Sequence, residues 1–268
     1  MKKYFSLLKY ELKNMVKDRM NVFMIVYPFL MLFLTGFLVP EILIRSNTPL
    51  PVLSSVNIVL FIMNITVGAM MGGYLLGFSL IENKDEKTFN SLAVTPASIK
   101  GYVMFKSVYG TALSFAGNLI LMFGLMLIAK DKLVVYAGAE QILLFDRLEA
   151  HHIIVIAFTN SLLTPALAMV IASFAKNKVE AFVLVKAGGL LLFLPILMML
   201  NFFDGATQYI LAPLPHFFAA KAAYNLASNN TNGANLGFWL YNLIGSVYTI
   251  AITVASFINF NRKLQIAT

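Results

Sequence analysis

Six stretches of this chain are apolar enough, at about twenty residues each, to cross about 30 Å of hydrocarbon as helices. They fall at 21–39, 56–81, 107–129, 153–175, 181–203 and 238–258. The pattern predicts an all-α polytopic membrane protein, one domain over 1–268 with six transmembrane helices. The second stretch is long enough to tilt or to project from the bilayer, and Pro28 is placed to kink the first. Ahead of the first span, Tyr4, Phe5, Leu8, Leu12, Met15 and Val16 recur at helical spacing, while Lys9, Lys13, Lys17 and Asp18 fill the rest of the wheel. Residues 1–20 therefore read as a basic amphipathic helix lying in the membrane interface. The apolar run behind it is too long for a signal peptide, and no small-residue cleavage site follows it, so it reads as a retained first span.

Composition agrees with the pattern. Hydrophobic residues make up 59% of the chain, charged residues only 12%, and mean hydropathy is +0.80. A soluble fold of this length could not hide so much apolar surface from water. The net charge of +8 forms no separate basic domain, so it reads as juxtamembrane charge facing anionic lipid, not as a nucleic-acid surface. Fourteen lysines and arginines fall on the side of the N-terminus, the loop after span two, the loop after span four and the C-terminus. Five (Arg45, Lys130, Lys132, Arg147 and Lys221) fall on the other, and Lys186 lies inside span five. By the positive-inside rule the first side is cytoplasmic, as are both termini, in a multi-pass protein; a bacterial plasma membrane is the expected location. The chain has no cysteine, which removes disulfides and thiolate metal sites.

Three segments are not simple spans. The stretch 82–105 is patterned as two short helices on the cytoplasmic side. Asp85 and Glu86 suit a helix N-terminus, Phe89, Leu92 and Ala93 make an apolar edge, and Thr95 followed by Pro96 restarts a helix as N-cap and first residue. Such a hairpin fits a docking surface and a solvated loop equally well. The segment 204–237 is apolar but broken by Pro213 and Pro215, and reads as a re-entrant or interfacial helical pair capping the outer end of a pathway. Residues 130–152 are amphipathic, and the pattern does not place them.

The chain resembles the six-span permease subunits of type-2 ABC exporters over essentially its whole length. The resemblance lies in Lys17-Asp18-Arg19 before span one, in the series Glu82, Glu86, Thr88, Leu92, Thr95, Pro96, Ser98 and Lys106 after span two, and in Pro213 and Pro215 before the last span. Lys87 departs from the family pattern, in which glycine often precedes the threonine. The run 177–186 is similar to the opening of span five in drug-export permeases. The resemblance implies a transport subunit without its own motor. Consistently, no G-x-x-x-x-G-K-[ST] phosphate cradle occurs. It implies a separate ABC ATPase that binds ATP and Mg, no cofactor on this chain, and a second permease chain, the same or related. It also implies that 82–98 contains a coupling helix seated on that ATPase through Glu82, Asp85, Glu86, Thr88, Phe89, Leu92, Thr95 and Pro96.

Other chemistry is thinly represented. His151 and His152 lack an H-E-x-x-H frame, and adjacent residues on a helix point about 100° apart, which disfavours a metal site. Ser161 has no G-x-S-x-G setting, and no span carries a paired carboxylate for proton transfer. An intramembrane enzyme or a secondary transporter with six spans is thus the alternative reading. The intramembrane polar residues are amides and hydroxyls, among them Asn57, Asn64, Asn160 and Asn201. They either line a weakly polar exit pathway or join helix to helix, each such bond contributing about 0.6 kcal/mol. Gly68, Gly72, Gly73 and Gly77 let span two approach a neighbour, in the same subunit or across a dimer.

Overall fold

The computed structural model describes residues 19–86, 98–137, 140–191, 193–230 and 232–267. The expected interfacial helix at 1–20 therefore lies almost wholly outside the described residues, as do Thr88, Phe89, Leu92, Thr95 and Pro96. The architecture is an all-α bundle with six helices long and apolar enough to cross a membrane.

The first span is built from α1 (Arg19–Leu32), a π-helical stretch (Phe33–Leu38) and α2 (Val39–Arg45). The helix runs on through Pro28, so the expected kink is not where the backbone departs from α geometry. The wider turn comes at Phe33–Leu38. Gly117 opposite leaves room for the proline ring, since a Cβ there would stand 3.2 Å from Pro28 Cγ. Helix α3 (Leu50–Asp85) has 36 residues, about 54 Å at about 1.5 Å each, so it projects well beyond the hydrocarbon. Helix α4 (Ile99–Ala129) starts on Ser98, whose Oγ accepts from the backbone N–H of Gly101 at 3.1 Å.

The unplaced stretch after α4 is a β-hairpin. Strands β1 (Val134–Ala137) and β2 (Glu140–Leu143) pair antiparallel, with Val134 opposite Leu143. The hairpin is fastened to α3: Asn57 Nδ2 donates to the carbonyls of Lys132 (3.1 Å) and Val134 (2.9 Å), and Ser54 Oγ accepts from the Tyr136 N–H at 2.9 Å. Ion pairs from Glu41 to Arg45 (2.9 Å) and to Lys132 (3.2 Å) lie at this same end.

The fourth span is interrupted. α5 (Ala150–Ser161) and α6 (Leu163–Phe174) meet at Leu162. Pro165 has no N–H to give the carbonyl of Ser161, which explains the break. Helix α7 (Lys178–Leu191) is shorter than the fifth apolar stretch. Gly188 and Gly189 weaken its end, and Pro195 follows, so the chain continues as 3-10 turns at Leu194–Met199, Asn201–Phe203 and Gly205–Leu211. Asn201 thus sits in one of these turns and not within the span. Helix α8 (Pro215–Ser228) carries Pro215 at its first position and ends on Asn229 in the left-handed region (φ 53°). The expected helical pair over 204–237 is therefore a run of 3-10 turns and one α-helix. Helix α9 (Phe238–Ala267) completes the bundle.

The interior divides in two. At the hairpin end, Phe61, Leu121, Leu125, Phe145, Phe217 and Tyr241 belong to one buried cluster. Toward the other end, where the 87–97 connection leaves, Tyr74, Leu80, Val103, Met169 and Phe260 belong to a second. The glycines of α3 serve contacts within this subunit. A Cβ on Gly72 would meet Thr164 Oγ1 at 2.9 Å and Ser114 Oγ at 3.0 Å, and one on Gly73 would meet Leu167 Cβ at 2.7 Å. These positions consequently give no support to an interface between copies.

Candidate functional site

The carboxylates expected to open a helix after span two instead close one. Glu82 and Asp85 lie in the last turn of α3, and Glu86 is its C-cap, its N–H bonding the Glu82 carbonyl at 2.9 Å. The hydrophobic run simply continues as helix through them. Acidic groups at a C-terminus oppose the negative end of the dipole, at about 0.3–1 kcal/mol each. The neighbouring helix offsets this. Lys178, the first residue of α7, places Nζ 2.8 Å from Glu82 Oε1 and 4.0 Å from Glu86 Oε1, and donates its backbone N–H to Asp85 Oδ2 at 3.1 Å. Asp85 therefore does sit at a helix N-terminus, that of α7 and not of its own chain segment. The same turn carries a local cap: Asn177 Oδ1 accepts from the Glu180 N–H (2.9 Å), and the Glu180 carboxylate accepts from the Lys176 N–H (2.9 Å). A few residues along, Lys106 Nζ donates to Ser79 Oγ at 2.7 Å, joining α4 to α3.

Three of the four amides singled out as pathway candidates, Asn57, Asn64 and Asn160, bond to partners within the fold. Asn57 holds the hairpin, as above. Asn64 donates to the Leu60 carbonyl (2.7 Å), and its Oδ1 lies 3.0 Å from Thr35 Oγ1. Asn160 Nδ2 donates to the Ile65 carbonyl at 3.1 Å, tying α5 to α3. All three are buried, while Asn201 lies in the turns beyond α7. A cleft of about 510 Å³ is lined by other residues, including Phe115, Phe158, Ser107, Thr111, Ser161 and Thr253. The hydroxyls of Ser107, Thr111, Ser161 and Thr253 bond back to carbonyls of their own helices, which leaves an apolar wall.

Of the segment expected on the outer side, helix α8 is packed into protein. In α8, His216, Phe217, Phe218, Ala219, Ala220, Lys221, Ala222 and Ala223 are all buried. Lys221, counted in the sequence as a charge on the outer face, is 1% exposed with Nζ 5.7 Å from the Tyr224 ring centre. Burial lowers its pKa, partly offset by Asp204. His216 Nε2 lies 3.1 Å from the Leu191 carbonyl, and burial pushes the imidazole down to about 4, so it is neutral and donates this bond. Pro213 and Pro215 bracket the turn into α8, and the Pro213 carbonyl accepts from Tyr248 OH at 3.1 Å. The two histidines weighed as ligands have other roles. His152 closes a capping box with Glu149, while His151 stacks on Trp239 with ring centres 5.8 Å apart.

Sequence reasoning missed Lys178 as the partner of the carboxylates and His216 as the link between α7 and α8. The spacing of Glu82 and Glu86, one turn apart, was the available signal that both face one cation. A family model described as fluoroquinolones export permease protein Rv2686c-like matches residues 11–257. No curated protein and no solved structure matches the chain.

Proposed function

Because the chain belongs to the Rv2686c-like family of fluoroquinolone export permeases, we propose that it forms the membrane pathway of an ATP-driven exporter whose motor is a separate ABC ATPase. The chain is a multi-pass membrane transport subunit. The observation that carries the finer reading is the extent of the match, which takes in the first five spans and runs well into the sixth of a chain with no phosphate cradle of its own. In this reading ATP and Mg bind the ATPase. The segment 82–98 docks on it, and two permease chains enclose the route of a fluoroquinolone or a compound of similar shape. The faces of spans one, five and six, of which 28%, 12% and 17% are buried within the chain, leave room for a second copy beside lipid. The positive-inside count supports a cytoplasmic location for the docking segment and both termini.

The test is reconstitution. The permease, co-produced with its ATPase and placed in lipid vesicles, exports a fluorescent fluoroquinolone only when ATP and Mg are supplied to the ATPase side. Single cysteines at Asn83, Asn177 and Gln265 resist an impermeant thiol reagent in intact cells, while one at Asn230 reacts. Export by the permease alone would sink the ATPase reading, and labelling of Asn83 from outside would reverse the orientation.

A further inference from the structure

Helix α7 is held at its two ends and hardly at all between them. At its start, three side chains from the end of α3 converge on Lys178: Glu82 and Glu86 on its ammonium, Asp85 on its backbone N–H. Along its length Ala181 is the buried residue, while Val179, Phe182, Val183 and Leu190 are exposed. The Phe182 ring stands 6.5 Å from that of Phe78, and Gly188 backs onto the Tyr74 hydroxyl. At its far end the Leu191 carbonyl accepts from His216 of α8. Fourteen residues make a rod of about 21 Å between these ties.

We propose that Lys178 is the positioning residue through which movement of the 87–97 connection is passed to α7 and, by way of Leu191 and His216, to the outer segment. This rests on the reading that 82–98 docks on an ATPase. The carboxylates that grip Lys178 are the last described residues before that connection, so a pull on it acts first on them. Exposed ion pairs contribute only about 0–1 kcal/mol to stability, so the clasp can be altered without unfolding the bundle. Contiguity of this kind does not by itself establish energetic coupling, whereas exchanging the charges tests it directly.

The experiment uses the permease reconstituted with its ATPase and a fluorescent fluoroquinolone as probe. Lys178→Glu sets three carboxylates against a fourth. The ATPase stays bound and basal hydrolysis continues, while export falls by about fivefold or more, the scale of ordinary coupling energies. Glu82→Lys alone also lowers export, and the double exchange Glu82→Lys with Lys178→Glu recovers most of it. Wild-type export by Lys178→Glu, or a double exchange no better than the worse single variant, overturns the proposal. So does loss of the ATPase from Lys178→Glu, which would place Lys178 in the docking surface itself. Should Lys178→Glu fail to accumulate, a second arm decides. Glu82→Cys with Lys178→Cys, in a chain with no other cysteine, is bridged by a short bifunctional thiol reagent. Export is low in the unbridged pair, which lacks both charges of the clasp, and returns on bridging if the clasp moves as one unit; wild-type export before bridging, or no return on bridging, overturns the proposal. Export by wild type without ATP would instead remove the docking reading, and this inference with it.

Discussion

Spans four and five have almost the same mean hydropathy, 2.0 and 2.3, yet 61% of the first is buried within the chain and 12% of the second. Span four is gripped by shape: α6 buries Leu163, Thr164, Ala166, Ala168, Met169, Ile171, Ala172 and Ser173, and its Leu167 and Ile171 fill the hollows left by Gly73 and Gly77. Span five is fastened by polar groups at its ends. Lipid tails are as apolar as leucine, so hydropathy decides that both helices enter the bilayer but not what they touch there. Small residues on a facing helix decide that.

Acidification should produce the largest effect, because it attacks a tie at the end of span five. His216 is neutral in the fold, its pKa pushed by burial from the ordinary 6.5 down to about 4. Its depressed value means that the unfolded chain binds a proton first, so the stability present above pH 6.5 is lost as pH falls toward 4. The loss is about 3 kcal/mol by linkage. Thermal midpoints in detergent between pH 7 and 4 measure it, and in His216→Gln this part of the slope disappears. An unchanged slope would mean that the imidazole is not buried neutral.

Next in size is one substitution made in both environments. Gly73→Ala drives a Cβ to 2.7 Å from Leu167 Cβ and should cost about 1–3 kcal/mol as overpacking. Gly189→Ala in α7 meets nothing within 4 Å and gains helix propensity of up to about 1 kcal/mol. Opposite signs in the detergent half-life confirm that one span is packed and the other bare, and equal signs break the comparison. Ser173→Ala comes third. It removes the 3.0 Å bond from Ser173 Oγ to the Ser256 carbonyl that joins α6 to α9, at about 1 kcal/mol. The smallest effect on stability is that of Lys178→Met, within about 1 kcal/mol. Its thermal midpoint should hardly move, and a large drop would show that span five relies on the clasp for folding.

These elements also mark what was legible in the chain. Runs of twenty apolar residues have one use in a membrane protein, so all six spans could be read, within a few residues at most ends. The family could be read as well, from the spaced motif after span two and the basic run before span one. Local rules reached less far. Val134, Val135 and Tyr136 are β-branched or aromatic and precede Gly138, a hairpin signal masked by the helical pattern around it. Asp85 obeyed the rule for helix starts, but the helix it faces is α7, whose first residue lies 93 positions away. A dipole preference states which end of a helix suits a charge and cannot say which helix. Lys221 was counted as a surface charge because nothing in its own sequence neighbourhood shows that α8 is buried.

The fit of Ile171 against Gly77 has a consequence for how this protein can change over generations. The nearest atoms to a Cβ at position 77 are all from that one side chain, at 2.9, 3.1 and 3.3 Å. An alanine arriving there alone would be selected against, whereas an alanine arriving with a smaller residue at 171 would be nearly silent. The two positions should therefore drift as a pair, one growing as the other shrinks. Gly189, where an added Cβ meets nothing within 4 Å, is under no such constraint from within the chain.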